Sequence, residues 1–326
     1  MSARLAGTLG GMDVLGDVIG AMRAGRPHAA LRTRRGPWGL HFPASAGVGF
    51  HAVLAGSCWL LPPGGGEPVQ VSAGELVLLP HGRAYGLADH PATALVEFGS
   101  PAAERRQERE GTAGPESVLL CGAYLLDRER THPLLGRLPE VVRLAVAGTP
   151  AGTVVELLHG ELAGPLAGGG TAATALLDTA LLYVLRAWYG GQDAVTGRGW
   201  AAALTDPAVG AALAALHEDP ARAWTVAELG AAGGLSRAAF ARRFGALVGE
   251  PPLAYLTWWR LTLAGRLLRE GDEPLRAVAR RTGYATEFAL ARAFKREYGT
   301  APGRYRTERR AASAAAAARA DGRAAG

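Results

Sequence analysis

Apolar positions change their spacing twice along the chain. Over residues 1–20 the spacing is helical, with Met12, Leu15, Val18, Ile19 and Met22 on one face. From Trp38 to about Leu126 it shortens to brief apolar runs: Val48–Leu54, Cys58–Leu61, Leu76–Leu79, Ala94–Phe98 and Val118–Leu126. Turns such as Pro62-Pro63-Gly64-Gly65-Gly66 and Pro80-His81-Gly82 divide them. Many short strands with regular turns predict an antiparallel sandwich or barrel, with the polar run 101–116 as a loop. After Pro139 helical spacing returns, predicting helices over 154–166 and 171–189. The second carries Leu176, Leu177, Ala180, Leu181, Val184, Leu185 and Trp188 on a broad apolar face. Such a face packs either against a second copy of the chain or against its own barrel. Gly190–Arg198 reads as a linker, followed by about seven short helices over 200–306. Cap chemistry stands at Asp206-Pro207, at Thr225 with Glu228, at Ser236, at Asp272/Pro274 and at Thr286. The Ala/Arg-rich tail, 307–326, is expected to be disordered.

This pattern predicts an α+β multidomain protein. It places an N-terminal antiparallel β-barrel over 1–150 and a helical linker and dimerisation region over 151–199. An all-α tandem helix-turn-helix domain follows over 200–306. The length of 326 residues accommodates two domains with their own cores. No apolar stretch is long and uncharged enough to span a membrane, and the start lacks the apolar core of a secretion signal. Two cysteines, Cys58 and Cys121, make no disulfide framework, so a cytoplasmic location is expected.

Charge separates the halves. Residues 1–170 carry 14 Arg against 15 acidic residues, whereas 171–326 carry 21 Arg plus Lys against 14. A positive excess confined to the helical half points to a polyanionic partner. All eight histidines lie at or before His217, so the two halves are built for different chemistry.

The helical half repeats itself at an offset of 50 residues. Ala227, Gly233, Ala239, Ala241-Arg242 and Phe244 match Ala277, Gly283, Ala289, Ala291-Arg292 and Phe294, and Gly249, Pro252 and Tyr255 match Gly299, Pro302 and Tyr305. Each copy reads as helix, glycine-containing turn, helix, which is the helix-turn-helix signature. In the second helix of the first copy, Phe240, Phe244 and Leu247/Val248 are core-facing, while Ala238, Arg242 and Gly245 point outward. In the second copy Leu290, Phe294 and Tyr298 face inward; Phe288, Arg292 and Lys295 lie outward, with Glu287 near the helix start. Outward arginines at equivalent places suit bidentate reading of guanine in double-stranded DNA. Arg237, Arg243, Arg281 and Arg296 flank these helices where phosphates would lie, with Ser236, Thr286 and Lys295 as further phosphate contacts. Between the copies, residues 252–269 span about 27 Å as a helix, comparable with the ~34 Å between successive major-groove segments on one face of the duplex. Tyr255, Leu256, Trp259, Leu263 and Leu267 form its packed stripe.

The segment Trp224-Thr225-Val226-Ala227-Glu228-Leu229, with Leu235-Ser236-Arg237, Phe240-Ala241-Arg242-Arg243-Phe244, Gly249-Glu250-Pro251-Pro252 and Tyr255-Leu256, resembles the first half of the AraC-type DNA-binding domain. Arg280-Arg281-Thr282-Gly283-Tyr284, with Phe294-Lys295-Arg296 and Gly299-Thr300-Ala301-Pro302 to Tyr305-Arg306, is similar to its second half. The resemblance covers about 205–306. It implies two helix-turn-helix subdomains joined by a long helix and binding at promoters. It places base contacts at Ala238, Ala241 and Arg242, with Arg237 beside them, and at Glu287, Phe288 and Arg292. Alanine at 238 and 241 departs from the larger side chains common there, so the first helix is expected to read mainly through Arg242, with the alanines meeting thymine methyls or the backbone.

The N-terminal half resembles the cupin sensor attached to one group of these regulators. Gly74, Pro80-His81-Gly82, Tyr85 and Asp89 follow the second cupin motif. Met12-Asp13-Val14-Leu15, Pro37-Trp38-Gly39, Cys121-Gly122, His132-Pro133-Leu134-Leu135 and Leu138-Pro139 extend the likeness. The metal motif's His-x-His is reduced to His51-Ala52-Val53, and Tyr85 stands for the second motif's histidine. The candidate sensor pocket comprises His51, His81, Tyr85, Cys121 and His132. It would take a small molecule, or zinc or another divalent metal on a thiolate and imidazoles. Cys121 as an oxidant sensor, or as core filler, is the alternative. No catalytic signature is present. The reading is a ligand-responsive transcription regulator, expected to be a homodimer and an activator that contacts RNA polymerase. Effector binding is expected to bias which half-sites the dimer reaches. A cupin-type metalloenzyme with a DNA-tethering domain is the rival; RNA binding is disfavoured by the lack of exposed aromatic stacking patterns.

Overall fold

A computed structural model describes residues 13–23, 25–45, 47–101, 115–126, 132–164, 167–196 and 199–311. Met12, most of the expected loop over 101–116 and the tail beyond 311 lie outside the described residues. The chain divides into two compact units. One comprises Arg23–Arg128 with Pro133–Gln192; the other comprises Met1–Met22, Glu129–His132 and Asp193–Gly326.

The first unit is built on ten strands: β1 His28–Arg35, β2 Gly39–Phe42, β3 Gly47–Ala55, β4 Ser57–Leu61, β5 Val69–Ser72, β6 Glu75–Leu79, β7 Tyr85–Ala88, β8 Val96–Glu97, β9 Glu116–Leu125 and β10 Val142–Ala145. They form two five-stranded sheets, ordered β1-β9-β3-β6-β10 and β5-β4-β7-β2-β8. Pairing is antiparallel except for the short β2–β8 contact, which is parallel. Where a closed antiparallel barrel is one expectation, hydrogen bonding defines two sheets. Val53, Val77, Leu79 and Leu119 of the first sheet share one core with Trp38, Leu40, Cys58, Leu60, Val71 and Leu87 of the second. Period-two alternation places these side chains on facing surfaces, which makes a sandwich.

Among the described residues, three helices complete this unit: α2 Pro133–Gly136, α3 Pro150–Leu162 and most of α4 Gly169–Thr196. Thr149 caps α3 by accepting from Gly152 N. The broad face of α4 is used within its own unit. Leu177, Ala180, Leu181, Val184 and Leu185 are buried. The Tyr124 hydroxyl donates to the Leu177 carbonyl, and Arg23 pairs with Asp178 at 2.6 Å.

The second unit is helical: α1 Val14–Met22, α5 Trp200–Thr205, α6 Pro207–Glu218, α7 Val226–Ala232, α8 Arg237–Val248, α9 Pro252–Glu270, α10 Leu275–Arg281 and α11 Glu287–Tyr298. Residues 302–311 form a further helix, α12. Residues 307–311 of the stretch expected to be disordered are thus helical, where Arg304 and Glu308 pair one turn apart at 2.6 Å and Arg310 Nη2 donates to the Gly271 carbonyl at 2.8 Å.

Two assignments differ from the sequence reading. Helix α1, grouped there with the strands, buries Val14, Leu15, Val18, Ile19 and Met22 in the helical unit, in contact with α6 and α9. Arg269 Nη2 donates to the Ala21 carbonyl at 2.8 Å. His132, placed in the sensor pocket, is likewise buried in the helical unit. Its Nε2 is 3.3 Å from the Tyr255 hydroxyl, and its ring lies 4.5 Å from Trp200 and 4.6 Å from Trp258. Burial, helped by neighbouring His217, holds its imidazole well below the ordinary range. The same Tyr255 hydroxyl is 2.8 Å from His217 Nε2.

Candidate nucleic-acid interface and sensor cluster

Two helix pairs, α7/α8 and α10/α11, carry the repeat. Thr225 caps α7 in a reciprocal box: Glu228 N donates to Thr225 Oγ1 at 3.2 Å, and Thr225 N donates to Glu228 Oε2 at 2.8 Å. Ser236 caps α8 by accepting from Ala239 N, and Thr286 caps α11 by accepting from Ala289 N. Both helices end on a left-handed glycine, Gly249 and Gly299. The expected Asp272 cap does not form; Pro274 takes the N-cap position of α10 and Asp272 pairs with Arg310.

Inward faces fall where the helical period puts them. Phe240, Phe244 and Val248 are buried in α8, as are Leu290, Phe294 and Tyr298 in α11. Helix α9 serves both pairs. Near its start, Tyr255 lies 6.0 Å from Phe244 in a T-shaped contact. Near its end, Leu261, Ala264 and Leu268 pack with Val278, Leu290, Phe294 and Tyr305.

Outward faces carry the candidate contacts. Arg237, Ala238, Arg242 and Arg243 of α8 are exposed and Ala241 is half-buried. On α11, Phe288, Arg292, Lys295 and Arg296 are exposed, with Glu287 half-buried. Among the described residues, Arg237, Arg242, Arg292 and Lys295 make no side-chain hydrogen bond or ion pair, so their donors are open to an incoming anion. Three expected phosphate contacts are engaged within the protein. Arg243 Nε donates to Asp206 Oδ2 at 2.6 Å, Arg281 pairs with Glu273, and Arg296 pairs with Glu297 at 3.2 Å. Asp206 was legible only as the α6 cap. Burial works to raise its carboxyl, but the Arg243 guanidinium and the backbone N–H groups of Val209 and Ala208 outweigh that and hold it below the usual range.

In the sandwich, three of the five sensor candidates meet. His51 and Cys121 are directly opposed residues of β3 and β9. His51 Nε2 lies 2.7 Å from the Tyr85 hydroxyl, while its Nδ1 is buried with no partner. Phe42 stacks on Tyr85 at 4.8 Å and Phe98 stacks on Phe42 at 4.7 Å, a row that sequence reading missed because it joins β2, β7 and the segment after β8. Burial holds the His51 imidazole down to about 3 and pushes the Cys121 thiol up to about 12; neighbouring Cys58 adds to the latter, against Arg32 and Arg34. His81 stands apart, its Nε2 donating to the Leu138 carbonyl at 2.8 Å.

The cupin family profile matches residues 13–190, and a helix-turn-helix domain profile matches 229–308. An AraC-like transcription regulator of Streptomyces antibioticus is 38% identical over 306 residues, covering 90% of this chain and 98% of its own. The chain belongs to the AraC-type family of DNA-binding transcription regulators. A second relative, the HTH-type transcriptional regulator MtrA of Neisseria gonorrhoeae, is 31% identical over 79% of this chain and 85% of its own. The DNA-binding domain of AdpA, solved in complex with a target DNA, is 36% identical over 33% of this chain and 96% of that chain, with a TM-score of 0.31.

The metal expected of an ordinary cupin does not fit this AraC-type regulator. Among the described residues no three His, Cys, Asp or Glu side chains come together as ligands. His132 is committed to the helical unit, and Tyr85 stands where the cupin motif has an imidazole. Also among the described residues, no helix is long and apolar enough to cross a membrane.

Proposed function

We propose that this regulator reads promoter DNA with both helix pairs, α8 and α11 each entering the major groove as the second helix of a helix-turn-helix unit. One observation carries the reading: Arg242 and Arg292, 50 residues apart, stand at equivalent points of two identically capped helices, both exposed and both without an internal partner. Five donors held in a fork suit the guanine O6/N7 edge. Arg237 and Lys295, with the Ser236 and Thr286 hydroxyls, take phosphates. The 19-residue helix α9 spaces the two units by about 28 Å.

The sandwich is the effector-sensing half, and a small molecule held beside His51, Tyr85 and Cys121 is the signal. The buried, partnerless Nδ1 of His51 supports this, since a buried polar atom without a hydrogen bond is costly and a ligand group would satisfy it. The chain acts as a regulator without catalytic activity of its own, in the cytoplasm, as a homodimer that recruits RNA polymerase as an activator. The half-buried Leu176 and Tyr183 on the outer side of α4 are the surface for the second copy.

Footprinting of the full chain on DNA upstream of its own gene and neighbouring genes tests the reading. Two protected major-groove segments about one helical turn apart are expected. Binding that shows no sequence preference and no dependence on Arg242 or Arg292 would overturn it.

A further inference from the structure

At the three outward positions of the repeat, α8 presents Ala238, Arg242 and Gly245, and α11 presents Phe288, Arg292 and Lys295. Phe288 is 75% exposed, more than any other large apolar side chain among the described residues. It has no place in the core of its pair, because Leu290, Ala293, Phe294 and Tyr298 occupy the inward face of α11. It lies four residues before Arg292 and seven before Lys295, on one stripe of the helix. An apolar protein partner would have to bury these cations with it, whereas a nucleic-acid groove welcomes them.

We propose that Phe288 reads the C5 methyl group of a thymine, next to the guanine read by Arg292; this rests on the DNA-reading function above. A phenyl ring offers no hydrogen bond, and the methyl of thymine is the one apolar group that major-groove base edges present. Phe288 and Arg292 are separated by about 6 Å along the helix axis, so the thymine lies within about two base pairs of the guanine. The first helix pair has alanine at the equivalent position, whose single methyl offers a far smaller apolar contact than the phenyl ring. The two half-sites are therefore read unequally, and the site has a direction.

The test uses the full chain to enrich preferred duplexes from randomised DNA. Each thymine of the enriched site is then replaced by deoxyuridine, which pairs identically and lacks only the methyl. Wild-type protein is expected to lose about fourfold in affinity at one thymine near a guanine, as removal of one buried methyl predicts. Phe288→Ala should bind the thymine and uracil probes equally, and Phe288→Leu should keep part of the preference. Wild-type binding indifferent to uracil at every position would overturn the inference and leave the ring to a protein partner, with the DNA-reading function intact. Discrimination undiminished in Phe288→Ala would overturn it too. Failure to enrich any sequence would instead overturn the DNA-reading function, and this inference with it.

Discussion

The two helix pairs are alike where they pack and unlike where they face solvent. Phe240 and Phe244 in one, Leu290 and Phe294 in the other, fill the same inward positions; Ser236 and Thr286 cap the same way; Gly249 and Gly299 end both helices in the left-handed region. Along the outward stripe only the arginine is shared. Its neighbours are alanine and glycine in α8, phenylalanine and lysine in α11. Apart from that arginine, the shared positions are those a helix pair needs in order to fold, and the differing ones lie outside its buried core. Gly245 makes the point: a Cβ built there meets no atom within 4 Å, so packing does not require glycine. On the proposed DNA-reading function, a bare α8 would let its backbone approach the bases closely with one long side chain, whereas α11 would stand off and read through several.

The sharpest way to break this comparison is through the shared core. Phe244→Ala and Phe294→Ala should each cost about 3–5 kcal/mol in stability, measured by denaturant unfolding, because each removes a fully buried ring. If the pairs are separate reading units, Phe294→Ala should erase protection of one half-site and spare the other. Loss of both footprints from either variant would show that α9 couples them into one unit.

At the reading edge the arginines should differ in consequence. Arg242→Ala and Arg292→Ala should each cost about 1–3 kcal/mol at the preferred site. Specificity should fall further in the first unit, where no other long side chain shares the stripe. Competition against single-base variants of each half-site measures this, and equal relaxation in both halves would contradict the asymmetry.

Much of this was legible in the residue pattern, and what escaped has a common cause. Phase along a helix fixed the inward and outward faces of α8 and α11, and cap residues set their starts, because both depend on neighbours within four positions. Contacts between distant segments left no such trace. His132 sits in a stretch resembling a sensor domain, yet its ring packs among Trp200, Tyr255 and Trp258, more than 60 residues on. Helix α1 showed its apolar stripe but not which unit would cover it. Even the repeat misled at one point. Gly233 and Gly283 match at the common offset and do different work. A Cβ on Gly233 would come within 2.3 Å of Ala208 Cβ, so it permits close approach of α6, while the left-handed residue of that turn is Gly234. In the second turn Gly283 itself takes φ 75°. Arg243 was read as a free cation because its partner, Asp206, lies 37 residues away.

That ion pair gives the first pair a support absent from the second, where Ala293 stands at the position of Arg243. Asp206→Ala removes both the α6 cap and the partner of Arg243, and should cost about 1–2 kcal/mol. The Asp206 carboxyl is held below its unfolded value, so its contribution is present above that value and is lost as pH falls through the folded one. Wild-type protein should therefore lose stability below about pH 4 more steeply than Asp206→Asn. Parallel acid curves for the two proteins would remove Asp206 as the cause.

The smallest expected effect tests the outward stripe directly. Gly245→Lys copies the second unit's Lys295 into the first, at a site with open space and a helical backbone free of positive φ. Replacing a helical glycine should raise stability by a few tenths of a kcal/mol, at most about 1. On DNA the added ammonium should meet a phosphate and not a base. Affinity should then rise alike for preferred and scrambled duplexes, and the slope of log K against log salt should steepen by about one. A gain confined to the preferred sequence would place position 245 over a base edge. A loss of binding would mean that α8 sits so deep in the groove that only a bare stripe fits, which separates the two helices further than their side chains already do.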